Sequence, residues 1–416
     1  MRISVALSGG GFRASLFHLG VLRRVAELGW LSQVGAVSGV SGGSIIAAFA
    51  ALRWSDMLVA GGDSAAFDRV IVDPFVDAIT TRSFVRDWLR HAALVAPRRM
   101  FDSTFTRTAA FGDVLGEVLY ENRLCTDLPE SPYVVVNATS LISVRAWRFT
   151  RHGLGDSRIG YADWKNDTAI SLGHAVAASA AFPPVFSVAR IDPSRYVFGG
   201  TVYRDRPVRL PKTIALTDGG VYENLGTEVL TKATMLPGGK VLQPAEFVLV
   251  SDGGYPVKHQ FELRRWPGFA AFAVLRRVNA IAMEQVSALR RRMLIKAFED
   301  GKPHGLLVAL GSNIDRIPAG GGEDYRTLVG ANSCLPSDVV DRIQRVRTHL
   351  NRFTREEAEA VMYHGYILTD AFLWARSAHL PAAYRRPDSP PERRVVFTPQ
   401  LVTRTMDALE KSHRIW

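Results

Sequence analysis

The chain has 416 residues, 47% hydrophobic and 22% charged, which allows a large buried core and excludes disorder throughout. No uninterrupted apolar run approaches the ~20 residues that span a bilayer, and Cys125 and Cys334 match no zinc or redox spacing. A formal net charge of +11 favours anionic partners, membrane surfaces or nucleic acid, although such charge is often only solvated.

Residues 2–7 read as a buried strand that runs straight into Gly9-Gly10-Gly11. Cleaving a signal peptide would remove that turn. We therefore expect a cytoplasmic start, buried reduced thiols at Cys125 and Cys334, and no glycosylation at the Asn137 and Asn166 sequons. Leu16, Leu19, Val21, Leu22, Val25 and Leu28 have helical spacing, which predicts a helix over residues 13–28 capped by Gly29. Residues 33–40 form the second strand and 44–52 a small-residue helix. Strand, loop, helix, strand, turn, helix is the start of a parallel α/β fold.

Residues 55–125 are mixed, with helical stretches over 67–79 and 110–121, and read as an insertion or cap. A strand follows at 133–137, with 143–150 as its hairpin or sheet neighbour. Residues 171–181 form an alanine-rich helix closed by Phe182-Pro183-Pro184. Strands at 213–217 and 246–251 each end in Asp-Gly-Gly. A long helical pattern covers 269–298, and 338–363 holds at least one more helix. The proline- and arginine-rich stretch 379–392 reads as a surface loop. With no repeat and no clear linker, one domain over 1–416 is the simplest account. Its core would span about 1–260 and a helical C-terminal part about 268–416.

Two glycine-rich turns carry chemistry. Gly39-Val40-Ser41-Gly42-Gly43 is a G-x-S-x-G pentapeptide, which sets a serine on a sharp turn between strand and helix with its hydroxyl lifted clear. Gly39 and Gly43 leave room for that turn and for a substrate carbonyl. Gly9-Gly10-Gly11 offers backbone N–H groups to a developing oxyanion. Only one strand and one helix precede Ser41, too few for the usual α/β-hydrolase layout. His259, His304, His349 and His364 sit in no glycine-rich turn at a strand end. None of them is a strong candidate for a catalytic imidazole; a base is still required, and the strand-end aspartates Asp218 and Asp252 supply candidates. Desolvation raises a carboxylate pKa and improves proton acceptance, so a Ser–Asp dyad is chemically sufficient. On the residues alone the two aspartates are nearly equal candidates.

In order along the chain, Ser8-Gly9-Gly10-Gly11-Phe12-Arg13-Ala14, Gly39-Val40-Ser41-Gly42-Gly43 and Asp218-Gly219-Gly220-Val221-Tyr222-Glu223-Asn224 resemble the three signatures of patatin-like phospholipases. The first is also similar to the cytosolic phospholipase A2 group. Val136-Asn137-Ala138-Thr139 and Ser179-Ala180-Ala181-Phe182-Pro183-Pro184-Val185-Phe186 resemble framework segments of bacterial members. A weaker likeness continues through Gln285, Leu289-Arg290 and Arg347-Thr348-His349-Leu350. The resemblance implies a three-layer α/β/α fold with a mostly parallel sheet, Ser41 as nucleophile and Asp218 as base. It also implies Gly10 and Gly11 as oxyanion-hole donors, Gly9 as the shaper of their loop, and Arg13 as a residue that orients the loop or meets phosphate. Only Asp218 is followed by Val-x-x-Asn, so the resemblance selects it over Asp252. The implied activity is hydrolysis of fatty-acyl esters in phospholipids or lysophospholipids. No calcium-binding loop is present, so no metal or cofactor is expected, and the basic charge favours peripheral association with an anionic membrane surface. An acyltransferase would share the same acyl-enzyme.

Two other readings compete. Gly9-Gly10-Gly11-Phe12-Arg13-Ala14 also satisfies the dinucleotide-binding G-x-G-x-x-A. That motif needs an acid at the end of the next strand, and no Asp or Glu occurs between Glu27 and Asp56, so it fails. A non-catalytic basic binder is the second reading. Residues 274–298 carry Arg276, Arg277, Arg290, Arg291, Arg292 and Lys296 beside apolar residues, as a helix lying on an anionic bilayer would, or a core-packed helix with a solvated face. No nucleic-acid-binding signature is present.

Overall fold

The computed structural model describes residues 3–97, 106–165, 168–199, 210–254, 267–317, 321–393 and 395–413; Asn166 and His259 lie outside them. Strand β1 (Ile3–Leu7) feeds helix α1 (Gly11–Glu27), and β2 (Val34–Val40) feeds α2 (Gly42–Leu52), as the sequence predicts. Gly29, at φ 69°, ends the first helix: its N–H bonds Ala26 O and that of Trp30 bonds Val25 O. Helices α3 (Trp54–Val59), α4 (Ser64–Phe67), α5 (Asp73–Thr81), α6 (Phe84–Leu94) and α7 (Arg107–Leu119) lead to β3 (Tyr133–Ser140). Phe67, Phe75, Phe84 and Trp88 of this helical stretch are buried in the main core.

Three further strands, β4 (Arg145–Phe149), β5 (Gly153–Asp156) and β6 (Gly160–Asp163), form a meander. Helix α8 (Leu172–Ser179) and strands β7 (Ala189–Ile191) and β8 (Ile214–Asp218) come next, then the short helices α9 (Gly220–Glu223) and α10 (Glu228–Thr231). A ribbon of β9 (Thr234–Met235) and β10 (Val241–Leu242) precedes β11 (Phe247–Asp252). Helix α11 (Pro267–Glu299), β12 (His304–Ala309) and helices α12 (Gly321–Val329), α13 (Ser337–Gln344), α14 (Arg355–Ala375) and α15 (Pro399–His413) complete the described chain.

Strands β12, β11, β1, β2 and β3 are neighbours and all parallel. Antiparallel β4, β5 and β6 extend one flank, and β8 with β7 attaches to β3. Side chains alternate across this sheet with a period of two. Ile3, Val5 and Leu7 of β1 and Phe247 and Leu249 of β11 face the larger core beneath α1, α2 and α14. Ala6, Val248 and Val250 face a smaller one, shared with Leu225, Val229 and Leu230 and with Leu294 and Phe298 of α11. Helices cover both faces, the three-layer arrangement expected of a parallel sheet.

The stretch 379–392 departs from expectation. Leu380, Tyr384 and Arg386 are buried, Tyr384 stacks on Phe247 at 4.5 Å, and Arg386 Nε pairs with Asp370 at 3.1 Å. Its composition hides two anchors that attach it to the core. Strand β12 also escapes sequence reasoning, because its six residues, His304 to Ala309, carry no alternation.

Candidate active site

Strand β3 sets the site. Parallel β2 runs along one of its edges until Val40 pairs with Asn137; antiparallel β8 arrives from the opposite direction until Asp218 pairs with Ala138. Two strands thus end against adjacent residues of β3. Ser41 follows the first end and Asp218 is the second, so residues 177 apart in sequence meet in one crevice at the sheet's edge.

Ser41 adopts φ 50° and ψ −117°, a strained backbone that an L-residue holds only when its surroundings impose it. The constraint is steric and polar. A Cβ on Gly42 would lie 2.2 Å from Gly11 O, and one on Gly43 2.0 Å from Leu7 O. The Ser41 N–H donates to Ser179 Oγ at 2.9 Å, and that hydroxyl donates to Asn137 O at 2.5 Å. Asn137 Nδ2 in turn donates to Ser38 Oγ at 2.9 Å and Gly39 O at 2.8 Å. The elbow is therefore braced from α8 and β3.

Asp218 is buried, and its carboxyl pKa is pushed up to about 6 by desolvation, opposed by the Gly220 N–H and the Ser41 hydroxyl that hydrogen-bond it. The Gly220 bond is 2.7 Å. The same α8 terminus holds this side of the crevice: Asp218 N–H donates to Ala181 O at 3.2 Å, Gly219 N–H to Ser179 O at 3.1 Å, and Thr217 Oγ1 to Ala181 O at 2.9 Å. Among the described residues, no cation contributes to the Asp218 shift.

The glycine turn lies between β1 and α1, with Gly10 at φ 147° and Gly11 at φ 62°. Gly10 and Gly11 are partly exposed, and the Gly10 N–H has no hydrogen-bond partner among the described residues. As the N-cap and the first residue of α1, they present amides at the positive end of a 17-residue helix. Gly9 is tied by its N–H to Asn224 O at 3.1 Å. The Asn224 carboxamide fills the space between the two turns: its Oδ1 would lie 2.4 Å from a Cβ on Gly9 and 2.5 Å from one on Gly220. Glu223 fixes the segment by accepting backbone N–H groups from Leu225, Gly226, Thr227 and Glu228.

Arg13 is fully buried. Its guanidinium donates to the carbonyls of Gln344, Val346 and Gly253 at 3.0, 3.2 and 3.1 Å, so it ties the start of α1 to two loops. This geometry suits the loop-orienting role expected of it, whereas burial leaves it no route to a substrate phosphate. Asp252, the other candidate base, is engaged by Arg291 Nε at 2.7 Å. His18 donates from Nε2 to Ser8 O and accepts from Ser251 on Nδ1, and burial lowers its pKa to about 4. His364 is buried against Leu310 O, its pKa likewise lowered to about 4. Ser179, Asn224 and the carbonyl of Thr348, 1.8 Å from where a Gly11 Cβ would stand, escape sequence reasoning as site elements. The segments of Ser179 and Thr348 signalled framework or a weak likeness, and Asn224, part of the third signature, served only to select Asp218.

The profile of the patatin-like phospholipase family matches residues 5–231, more than half of the chain, and spans the glycine turn, the elbow and Asp218. The chain belongs to the patatin-like phospholipase family. No curated protein sequence matches it significantly. Among solved structures, this patatin-like chain is similar to human GIVD cytosolic phospholipase A2, with a TM-score of 0.51 at 11% identity, over 91% of this chain and 62% of that one. It thus spans less than two thirds of the human chain, and the likeness concerns the fold. The same human protein in complex with methyl gamma-linolenyl fluorophosphonate gives a TM-score of 0.46 at 13% identity, over 99% and 59% of the two chains. VipD from Legionella pneumophila gives 0.33 at 13% identity, over 91% and 67%.

Proposed function

We propose that this protein is a lipid acyl hydrolase of phospholipase A or lysophospholipase type, working through a Ser41–Asp218 dyad and an acyl-enzyme at an anionic membrane surface. The observation that carries the reading is the strained Ser41, hydrogen-bonded to a buried carboxylate whose pKa lies near 6. Ser41 Oγ attacks the ester carbonyl as Asp218 takes its proton. The Gly10 and Gly11 amides hold the tetrahedral oxyanion. The alcohol leaves with the proton returned by Asp218, and a water activated by the same carboxylate then releases the fatty acid. A pKa near 6 keeps the carboxylate ionised at neutral pH, yet basic enough to share a proton with the attacking hydroxyl.

The test is fatty-acid release from mixed anionic phospholipid vesicles without added metal, comparing wild type with Ser41→Ala and Asp218→Asn. Loss of release in both variants supports the dyad. Full activity in Asp218→Asn would remove it.

A further inference from the structure

Helix α11 has an exposed apolar face. Leu275, Val278, Leu289 and Met293 are 67, 56, 52 and 62% exposed, and Ala282 and Val286 lie exposed between them. Among the described residues, its apolar anchors in the core are Leu294 and Phe298, both near its C-terminal end. A contiguous apolar row of this size on a folded protein marks a surface that something covers.

We infer that this face is where the protein docks on an anionic lipid surface, a reading that deepens the proposed lipid hydrolysis and takes its substrate from it. The spacing of the row selects the partner. Leu275, Val278, Ala282, Val286, Leu289 and Met293 advance by 3, 4, 4, 3 and 4 residues, the 3.6 period of a straight helix. A coiled coil with a second copy needs a 3.5 period, which puts Gln285 and Arg292 into the seam in the register through Leu275 and Val278, or Asn279 and Lys296 in the register through Ala282, Val286, Leu289 and Met293. A straight row about 27 Å long suits a flat apolar medium. Charge agrees: Arg292 is exposed on the same helix, as is Lys296, which also pairs with Asp300 at 2.6 Å, and the chain carries +11. No helix among the described residues is long and apolar enough to cross a membrane, so α11 would lie in the interface. It also borders the catalytic crevice. Arg290 bonds Glu228 at 3.1 Å and Arg291 bonds Asp252 at 2.7 Å, which fixes the helix beside the strand ends that carry the site.

The test is flotation of the Ser41→Ala protein with vesicles of equal parts phosphatidylcholine and phosphatidylglycerol. We expect binding, and a fall of about tenfold or more in partitioning when Leu275, Leu289 and Met293 are all replaced by Glu. With Ser41 intact, the triple variant should still cleave a soluble short-chain ester while losing activity on vesicles; the ester also reports folding. Arg292→Glu with Lys296→Glu serves as a second variant should the first not fold. It should weaken binding about fivefold per charge on these vesicles and leave binding to neutral ones unchanged. Unchanged flotation of the variants overturns the proposal. So does a triple variant whose only change is from dimer to monomer by light scattering, which would assign the face to a second copy. A wild type that floats but cleaves no ester, soluble or vesicular, removes the catalytic reading and leaves the docking face supported.

Discussion

The chain contains the same tripeptide twice at a strand end: Asp218-Gly219-Gly220 after β8 and Asp252-Gly253-Gly254 after β11. Both aspartates are buried, and both accept an N–H from the second glycine, at 2.7 and 2.9 Å. They differ in their long-range neighbours. Asp218 faces the Ser41 hydroxyl, and burial holds its pKa near 6. Asp252 faces Arg291, which arrives from α11 and pairs with it at 2.7 Å. One carboxylate is left available to a proton, and the other is committed to a guanidinium. A local motif supplies a carboxylate, and tertiary contacts decide what it can do.

The largest expected difference is in turnover. Asp218→Asn should lower kcat/KM on a soluble ester by about 10²–10⁴, the usual worth of a general base, whereas Asp252→Asn should stay within about tenfold of wild type. Comparable losses in both variants would erase the contrast.

The middle glycines come next. A Cβ on Gly219 would lie 2.3 Å from Asn137 O, so Gly219→Ala must displace the turn that carries Asp218. We expect about a 10²-fold loss of kcat, as for a misplacement on the order of 1 Å. In Gly253→Ala the new Cβ would meet Ala14 of α1 at 2.6 Å, disturbing the glycine turn indirectly, with a loss of about tenfold. Steady-state kinetics at saturating substrate separates the two.

A pH profile sharpens the comparison further. Asp218 accepts a proton only when ionised, so log kcat/KM on a soluble ester should rise with unit slope up to about pH 6 and then level off. Asp252→Asn should leave that inflection in place.

The smallest effect is on stability. Between the ordinary value of 3.8 and about 6, the folded protein keeps the Asp218 proton that the unfolded chain has lost, so stability falls as pH rises through this window. Asp218→Asn removes that penalty and should gain about 1–3 kcal/mol near neutral pH, a gain that vanishes by about pH 4. Asp252→Asn should instead lose about 1 kcal/mol, because Arg291 is partly exposed and keeps Glu284 at 3.0 Å. Urea midpoints at the two pH values test both signs.

The parts of the site legible in the sequence are those the chain encodes locally. A strand ending in three glycines, and a serine between paired glycines, announce themselves because only such residues tolerate φ 147° at Gly10 or the approach of Gly42 to Gly11. The β1–α1–β2–α2 start was legible for the same reason, through unbroken periodicity. What brings the strand ends together was not. Ser179 braces Ser41 across 138 residues, and Arg13 reaches carbonyls 331 and 333 residues away. No local pattern marks such contacts. Strands β5 and β6 escaped because four-residue segments rich in glycine carry little alternation. The sequence leaves α11 open between a helix on a bilayer and a core-packed one, because an apolar stripe reads the same whether it meets a core or a lipid surface.

The most direct measurement is the rate at which an alkyl fluorophosphonate labels Ser41, followed by intact mass, in wild type, Asp218→Asn and Asp252→Asn. We expect a single adduct on Ser41, formed about 10² times or more slowly in Asp218→Asn and at near wild-type rate in Asp252→Asn. Labelling that is unaffected in Asp218→Asn, or lost in Asp252→Asn, would contradict the assignment of Asp218 as the base.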